Sequence, residues 1–193
     1  MIISNKLIKD YYKKASQEGH CIYEKGDDEH LEILKVQYEA NKALYPGSKS
    51  VYSEKETITM WFAIRELCKL LGVRVNWIRF KSPPEVLAYY AFMRVWDQKY
   101  ICINYRFGKY EVDACVQDKD RNFILGTETQ GEKVHTNREF QDAKKREYFM
   151  KQGLLVLQTP GKFLVNNFCE YVELLKRNLK EVYEESDVHF LKR

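Results

Sequence analysis

The sequence predicts an α/β protein: a helical N-terminal extension, then a core ordered as helix, three strands, helix, strand, helix. Two observations carry this expectation. Apolar residues recur at steps of three and four as far as Trp96, then alternate at steps of two from Ile101. Beyond residue 138 a charged helical stretch, a short apolar run and a second helical stretch succeed one another, as in a sheet layered with helices. The 193 residues suit one domain with an appendage; the helix that opens the core order starts at residue 82, which gives an extension of 1–81 and a core of 82–193.

In the extension, Leu31, Leu34, Tyr38 and Tyr45 follow a helical repeat that Pro46 and Gly47 end. Ser53 and Glu56 have the spacing of a capping box, and Ile58, Trp61, Ile64, Cys68 and Leu71 make one apolar stripe that Gly72 stops. Ser82 and Glu85 repeat the capping-box spacing, with two prolines in a first turn that tolerates them, and open an aromatic helix running to about Trp96. Ile101, Ile103, Tyr105 and Phe107, then Tyr110, Val112, Ala114 and Val116, form a hairpin turning at Gly108-Lys109. Residues 123–128 make a third strand, 138–152 a charged helix closed by Gly153, and Leu154–Leu157 a strand of buried type. Val165, Phe168, Val172, Leu175 and Leu179 define one last helix.

Composition narrows the class. With 45% hydrophobic and 31% charged residues the chain can bury a core and is not a disordered or fibrous one. No uncharged apolar run approaches the roughly 18 residues that cross a bilayer, and Lys6 and Asp10 arrive too early for a signal peptide. A cytoplasmic protein without a membrane partner is expected. Five cysteines, spread out and odd in number, argue for buried thiols rather than disulfides or a thiolate zinc site. The net charge of +4 permits nucleic acid as a partner without requiring it.

Asp113 interrupts the second strand and Glu128 lies at the end of the third, where a core carboxylate is costly unless paired or metal-bound. If those strands are neighbours, the two can converge on one hard cation such as Mg²⁺, which accepts one or two carboxylates with water and phosphate oxygens. Tyr110-x-Val112-Asp113, then Glu128-x-Gln130-Gly131 with His135, Asp142, Arg146 and the strand 153–157, resembles the PD-(D/E)XK nuclease superfamily. The similar branch is that of very-short-patch-repair and restriction-type endonucleases.

The resemblance implies a restriction-endonuclease-like core from residue 82 and a Mg²⁺- or Mn²⁺-dependent nuclease acting on DNA rather than RNA. Asp113, Glu128 and the Thr129 carbonyl would hold the ion. Glu85 would complete the acidic cluster, although it equally suits a cap for a backbone N–H. The third motif position, commonly Lys, is Gln130, which would orient water or phosphate without carrying charge. Lys133, Lys144 or Lys145 could supply that charge from elsewhere, and His135 and Arg146 are further candidates for substrate contact. A homodimer is left open.

Glu66 to Val73 with Ile78 have the spacing of a helix-turn-helix, with Cys68 in the small position and Gly72 in the turn. The same residues also suit a core helix followed by a short strand, Val73–Phe80. From another class comes a rival for the whole chain: a noncatalytic DNA-binding or regulatory protein that keeps the fold but, lacking the motif Lys, not the activity.

Overall fold

The fold is that of a computed structural model, which describes residues 3–26, 29–44, 52–131 and 139–182. Two compact units emerge, one formed by Lys9–Pro83 and the other by Met1–Ile8 with Pro84–Arg193. Helix α1 (Asn5–Lys25) starts in the second unit and continues in the first, which also holds α2 (Glu29–Leu44) and α3 (Glu54–Leu71). Among the described residues no helix is long and apolar enough to cross a membrane.

In the Lys9–Pro83 unit, Leu31 and Leu34 of α2 and Ile58 and Phe62 of α3 form a buried cluster, joined by Ile22, Tyr23, Tyr38, Trp61 and Trp77. The capping box that begins α3 is formed: Ser53 Oγ accepts from Glu56 N at 3.2 Å, and the Glu56 carboxylate accepts from Ser53 N at 2.9 Å. Gly72 ends the helix with φ of 65°, and the next N–H, that of Val73, reaches back to the Cys68 carbonyl at 2.9 Å. Residues 73–80 form neither a recognition helix nor a strand. Asn76 Oδ1 accepts from Ile78 N, and a single 3₁₀ turn, Trp77–Arg79, closes before the prolines.

The other unit carries α4 (Pro83–Val95), which begins at the boundary, then β1 (Ile101–Phe107), β2 (Tyr110–Gln117), β3 (Phe123–Gln130), α5 (Glu139–Lys151), β4 (Val156–Pro160), α6 (Gly161–Asn166) and α7 (Phe168–Val182). The strands form one mixed sheet in sequence order, antiparallel except for β3 with β4, which are parallel because α5 provides the crossover. The hairpin turns as expected between Phe107 and Tyr110. Gly108 has φ of 54°, and a Cβ there would lie 2.7 Å from the Tyr148 hydroxyl, so the turn and the helix behind it both call for glycine.

Two expectations shift at helix ends. Strand β4 starts at Val156 rather than Leu154, because Gly153 N bonds to Met150 O at 3.0 Å and Leu154 N to Phe149 O at 2.9 Å, which makes Leu154 part of the helix cap. The final helix is broken at Asn167 into α6 and α7, with Asn5 Oδ1 receiving the Cys169 N–H of the new start at 2.8 Å. Cys21 is exposed, contrary to a wholly buried set of thiols, while Cys68 and Cys115 are buried.

The sheet is covered on both faces. Cys115, which pairs with Gly126, packs with Val112 and Phe149 of α5. One residue on, Thr127 points the other way by the pleat and accepts a hydrogen bond from the Tyr171 hydroxyl of α7 at 2.9 Å. Burial pushes that phenol up to about 12. Phe168 of α7 stacks on Tyr90 of α4 at 5.7 Å between ring centroids.

Candidate active site

The sheet forks at the expected carboxylates. Strands β2 and β3 pair from Gln117↔Phe123 to Ala114↔Thr127 and no further. Beyond that point β2 continues alongside β1, and β3 alongside β4 through Glu128↔Gln158, Thr129↔Thr159 and Gln130↔Pro160. Extending the β2–β3 register by one step would set Asp113 across from Glu128. A backbone N–H that loses its ladder partner at such a fork needs another acceptor. Asp113 supplies it: its Oδ2 accepts from Thr129 N at 2.7 Å and from Thr129 Oγ1 at 2.9 Å.

The fork is prepared on β1 as well. The β1–β2 ladder skips the Asn104–Asp113 position, and Asn104 holds φ of 53°. Val112 and Cys115, three residues apart on one strand, pack in the same cluster, which strict alternation would not allow. Asp113 thus occupies a break in the pleat.

Glu128 is held from the helix above. Lys145 of α5 pairs with its Oε1, and Gln158 Nε2 of β4 donates to its Oε2 at 3.5 Å. The Gln158 carbonyl oxygen in turn accepts from Gln130 Nε2 and, at 3.4 Å, from Arg146 Nη1. The result is a line of polar contacts, Lys145–Glu128–Gln158, with Gln130 and Arg146 meeting at the amide oxygen. Burial raises the Glu128 carboxyl above its ordinary 4.5; Lys145 opposes the rise, and the charges of Asp113 and Asp142 add to it. The charges of Asp113 and Asp142 both act on Glu128, and the described cation that relieves it is Lys145.

The expected residues are brought together unevenly. Asp113, Glu128, Thr129, Gln130, Lys145 and Arg146 converge on the fork. Glu85 is buried in the first turn of α4, but among the described residues no three His, Cys, Asp or Glu side chains form a group able to hold a metal, so it does not join Asp113 and Glu128 in a three-acid cluster. Asp142 of α5 is the second carboxylate, with Asp113, whose charge acts on Glu128. Gln130 binds Gln158 rather than standing free for water or phosphate. Lys144 is exposed, one step round the helix from Lys145. Lys133 and His135 lie outside the described residues.

Gln158 was not among the expected residues. Its signal was available as a polar side chain directly after the apolar run Leu154–Leu157, but the partner across the ladder is 30 residues away.

Two carboxylates at one fork suit a hard cation. Mg²⁺ is held by one or two carboxylates together with water, and its charge would offset that of Asp113 and Asp142 beside Glu128. Asp113 Oδ1 and the Thr129 carbonyl are oxygens of the kind it takes, so the donor chemistry fits. Comparison with family models, with curated proteins and with solved structures finds no match for this chain.

Proposed function

We propose that the Pro84–Arg193 unit is a divalent-metal-dependent endonuclease of the PD-(D/E)XK type, with a restriction-endonuclease-like core that hydrolyses phosphodiester bonds in DNA. The observation that carries the reading is the convergence, at the fork of β2 and β3, of Asp113 and Glu128 with a half-buried lysine from another element. Asp113, Glu128 and the Thr129 carbonyl would hold Mg²⁺ or Mn²⁺. When bound, such an ion supplies an activated water and neutralises charge on the leaving oxygen.

The chain's own groups have separable tasks. Thr129 fixes the Asp113 carboxylate through two hydrogen bonds, and Gln158 fixes Glu128 with Gln130 behind it. Lys145 takes the place that Gln130 leaves vacant: a positive charge beside the Glu of the third strand, delivered from α5. Arg146 and Lys144, exposed on the same helix, would contact phosphate.

The test is incubation of the purified protein with plasmid, single-stranded DNA and RNA, each with Mg²⁺ or Mn²⁺ and with chelator. Cleavage of DNA that needs the ion and disappears in Asp113→Ala supports the reading; no cleavage under either ion defeats it.

One observation favours the rival, a noncatalytic DNA-binding protein: both carboxylates already have internal partners, Thr129 for Asp113 and Lys145 for Glu128. DNA binding that is indifferent to Asp113→Ala and to chelator would select it.

A further inference from the structure

Three of the five cysteines lie on helices, Cys21 on α1, Cys68 on α3 and Cys169 on α7. The other two, Cys102 of β1 and Cys115 of β2, are register partners in the antiparallel ladder. Residues directly opposite in such a ladder have Cα atoms about 4.5 or 5.5 Å apart, depending on whether the pair exchanges backbone hydrogen bonds. Both values fall inside the range of about 4.4 to 6.8 Å that a disulfide spans. The side chains also share a face of the sheet, since Cys102 packs on the cluster of Val112, Cys115 and Phe149.

The two sulfurs are already neighbours. The Cys115 thiol is hydrogen-bonded to the Cys102 sulfur, and Cys102 Sγ in turn donates to Gln117 Oε1 at 3.3 Å. Their surroundings differ. Cys115 is 0% exposed, whereas Cys102 is half-buried on an outer strand, where a small oxidant can reach it. An accessible thiol with a second thiol beside it is the arrangement in which one sulfur meets the oxidant and the other resolves the product. Gln117 favours the return to dithiol. Its side chain is buried, so its amide oxygen loses a hydrogen bond of the protein interior when the Cys102 donor is consumed. A disulfide that carries such a cost is more easily reduced than one that only holds a fold together.

We propose that Cys102 and Cys115 are a reversible dithiol–disulfide pair, oxidised by hydroperoxides. The Cys102 sulfur takes the terminal oxygen of hydrogen peroxide, the O–O bond breaks, and the thiol proton leaves with the departing oxygen as water. The product is a sulfenic acid on Cys102. The Cys115 sulfur then displaces that oxygen: the S–S bond forms, the S–O bond breaks, and the Cys115 proton leaves with the hydroxyl as a second water. Two thiols lose two electrons and the peroxide gains them. The proposal goes beyond the nuclease reading and uses neither its metal nor its substrate.

The experiment exposes the reduced full chain, held in chelator, to graded hydrogen peroxide, quenches by alkylation and digests with trypsin without reductant. Cleavage after lysine and arginine places Cys102 in fragment 100–106 and Cys115 in fragment 110–119, each with one cysteine. Mass spectrometry should find these two fragments linked, lighter than their sum by the two lost hydrogens, in an amount that rises with peroxide and falls again when the folded protein meets reduced glutathione. Cys21→Ser should form the link to the same extent. Cys115→Ala should leave Cys102 as a sulfenic acid that dimedone captures several-fold more than in the parent. The proposal is overturned if fragment 100–106 appears alkylated, or oxidised to the sulfinic acid, with no linked partner. It is equally overturned if Cys102 links to Cys21, if the link forms only after unfolding in urea, or if glutathione leaves it closed. Plasmid cleavage by the reduced protein, present or absent, decides the nuclease reading alone.

Discussion

Lys145 on α5 and Glu128 on β3, 17 residues apart in sequence, meet as an ion pair whose side chains are only 21% and 12% exposed. A pair so shielded is coupled much more tightly than a surface one, because removing one partner leaves the other charge without water or counter-charge. On the proposed nuclease reading, Lys145 would supply the charge that Gln130 does not carry.

Lys145→Met is expected to cost about 1 to 3 kcal/mol at pH 7, whereas Lys144→Met on the exposed side should stay within about 0.5 kcal/mol. Urea unfolding in chelator measures both. In single-turnover cleavage at saturating protein, loss of Lys145 should lower the chemical step with substrate binding nearly unchanged, while loss of Lys144 or Lys133 should weaken binding and its salt dependence. Equal effects at the three positions would count against a specific task for Lys145.

The raised Glu128 carboxyl sets a pH dependence with a definite sign. Folding favours its protonated form, so its contribution to stability is fully present below the unfolded value, near 4.5, and is lost as pH rises through the raised folded value. Glu128→Gln keeps the shape without the charge and should flatten that part of the stability curve between pH 4.5 and neutrality. Added Mg²⁺ should restore stability to the parent at pH 7 and do nothing for Glu128→Gln. Urea midpoints at stepped pH, with and without the ion, decide the matter.

Asp113→Asn retains an oxygen for the Thr129 N–H but removes the negative charge, so the fold should survive while Mn²⁺ affinity falls and cleavage drops by about a hundredfold or more. Gln130→Ala should reduce cleavage far less and leave metal binding intact, since its amide holds Gln158 rather than an ion. Mn²⁺ titration by paramagnetic resonance alongside cleavage rates tests the pair. A Gln130→Ala loss as large as that of Asp113→Asn would mean the amide acts on substrate directly.

Phe168 is 2% exposed and stacked on Tyr90, so Phe168→Ala should cost about 3 to 5 kcal/mol in unfolding measurements. A loss below about 1 kcal/mol would place the start of α7 outside the core.

The elements whose signals are local were legible in the sequence. Ser53 and Glu56 announced α3, Gly72 its end, and Phe107-Gly108-Lys109-Tyr110 the hairpin, because each depends on residues within one turn of each other. Legibility stops where a distant partner decides. That Lys145 and not Lys144 meets Glu128 depends on how α5 is rotated over the sheet, and Tyr148 and Phe149 set that rotation by packing on Tyr110. Gln158 acquires its role only from the register of β4 against β3. The 3₁₀ turn at Trp77 ends early because Phe80 is buried and Pro83 follows, neither of which the helix-turn-helix spacing takes into account.

Asn104 has a consequence for how these molecules meet one another. Strand β1 is an outer strand of the sheet, and its backbone would otherwise offer a flat row of donors and acceptors to any second chain. A left-handed residue at its middle, φ 53°, turns that row out of line, and the exposed Arg106 adds charge two residues later. Sheet-to-sheet addition of copies through this side is therefore discouraged by the same break that lies beside the fork at Asp113.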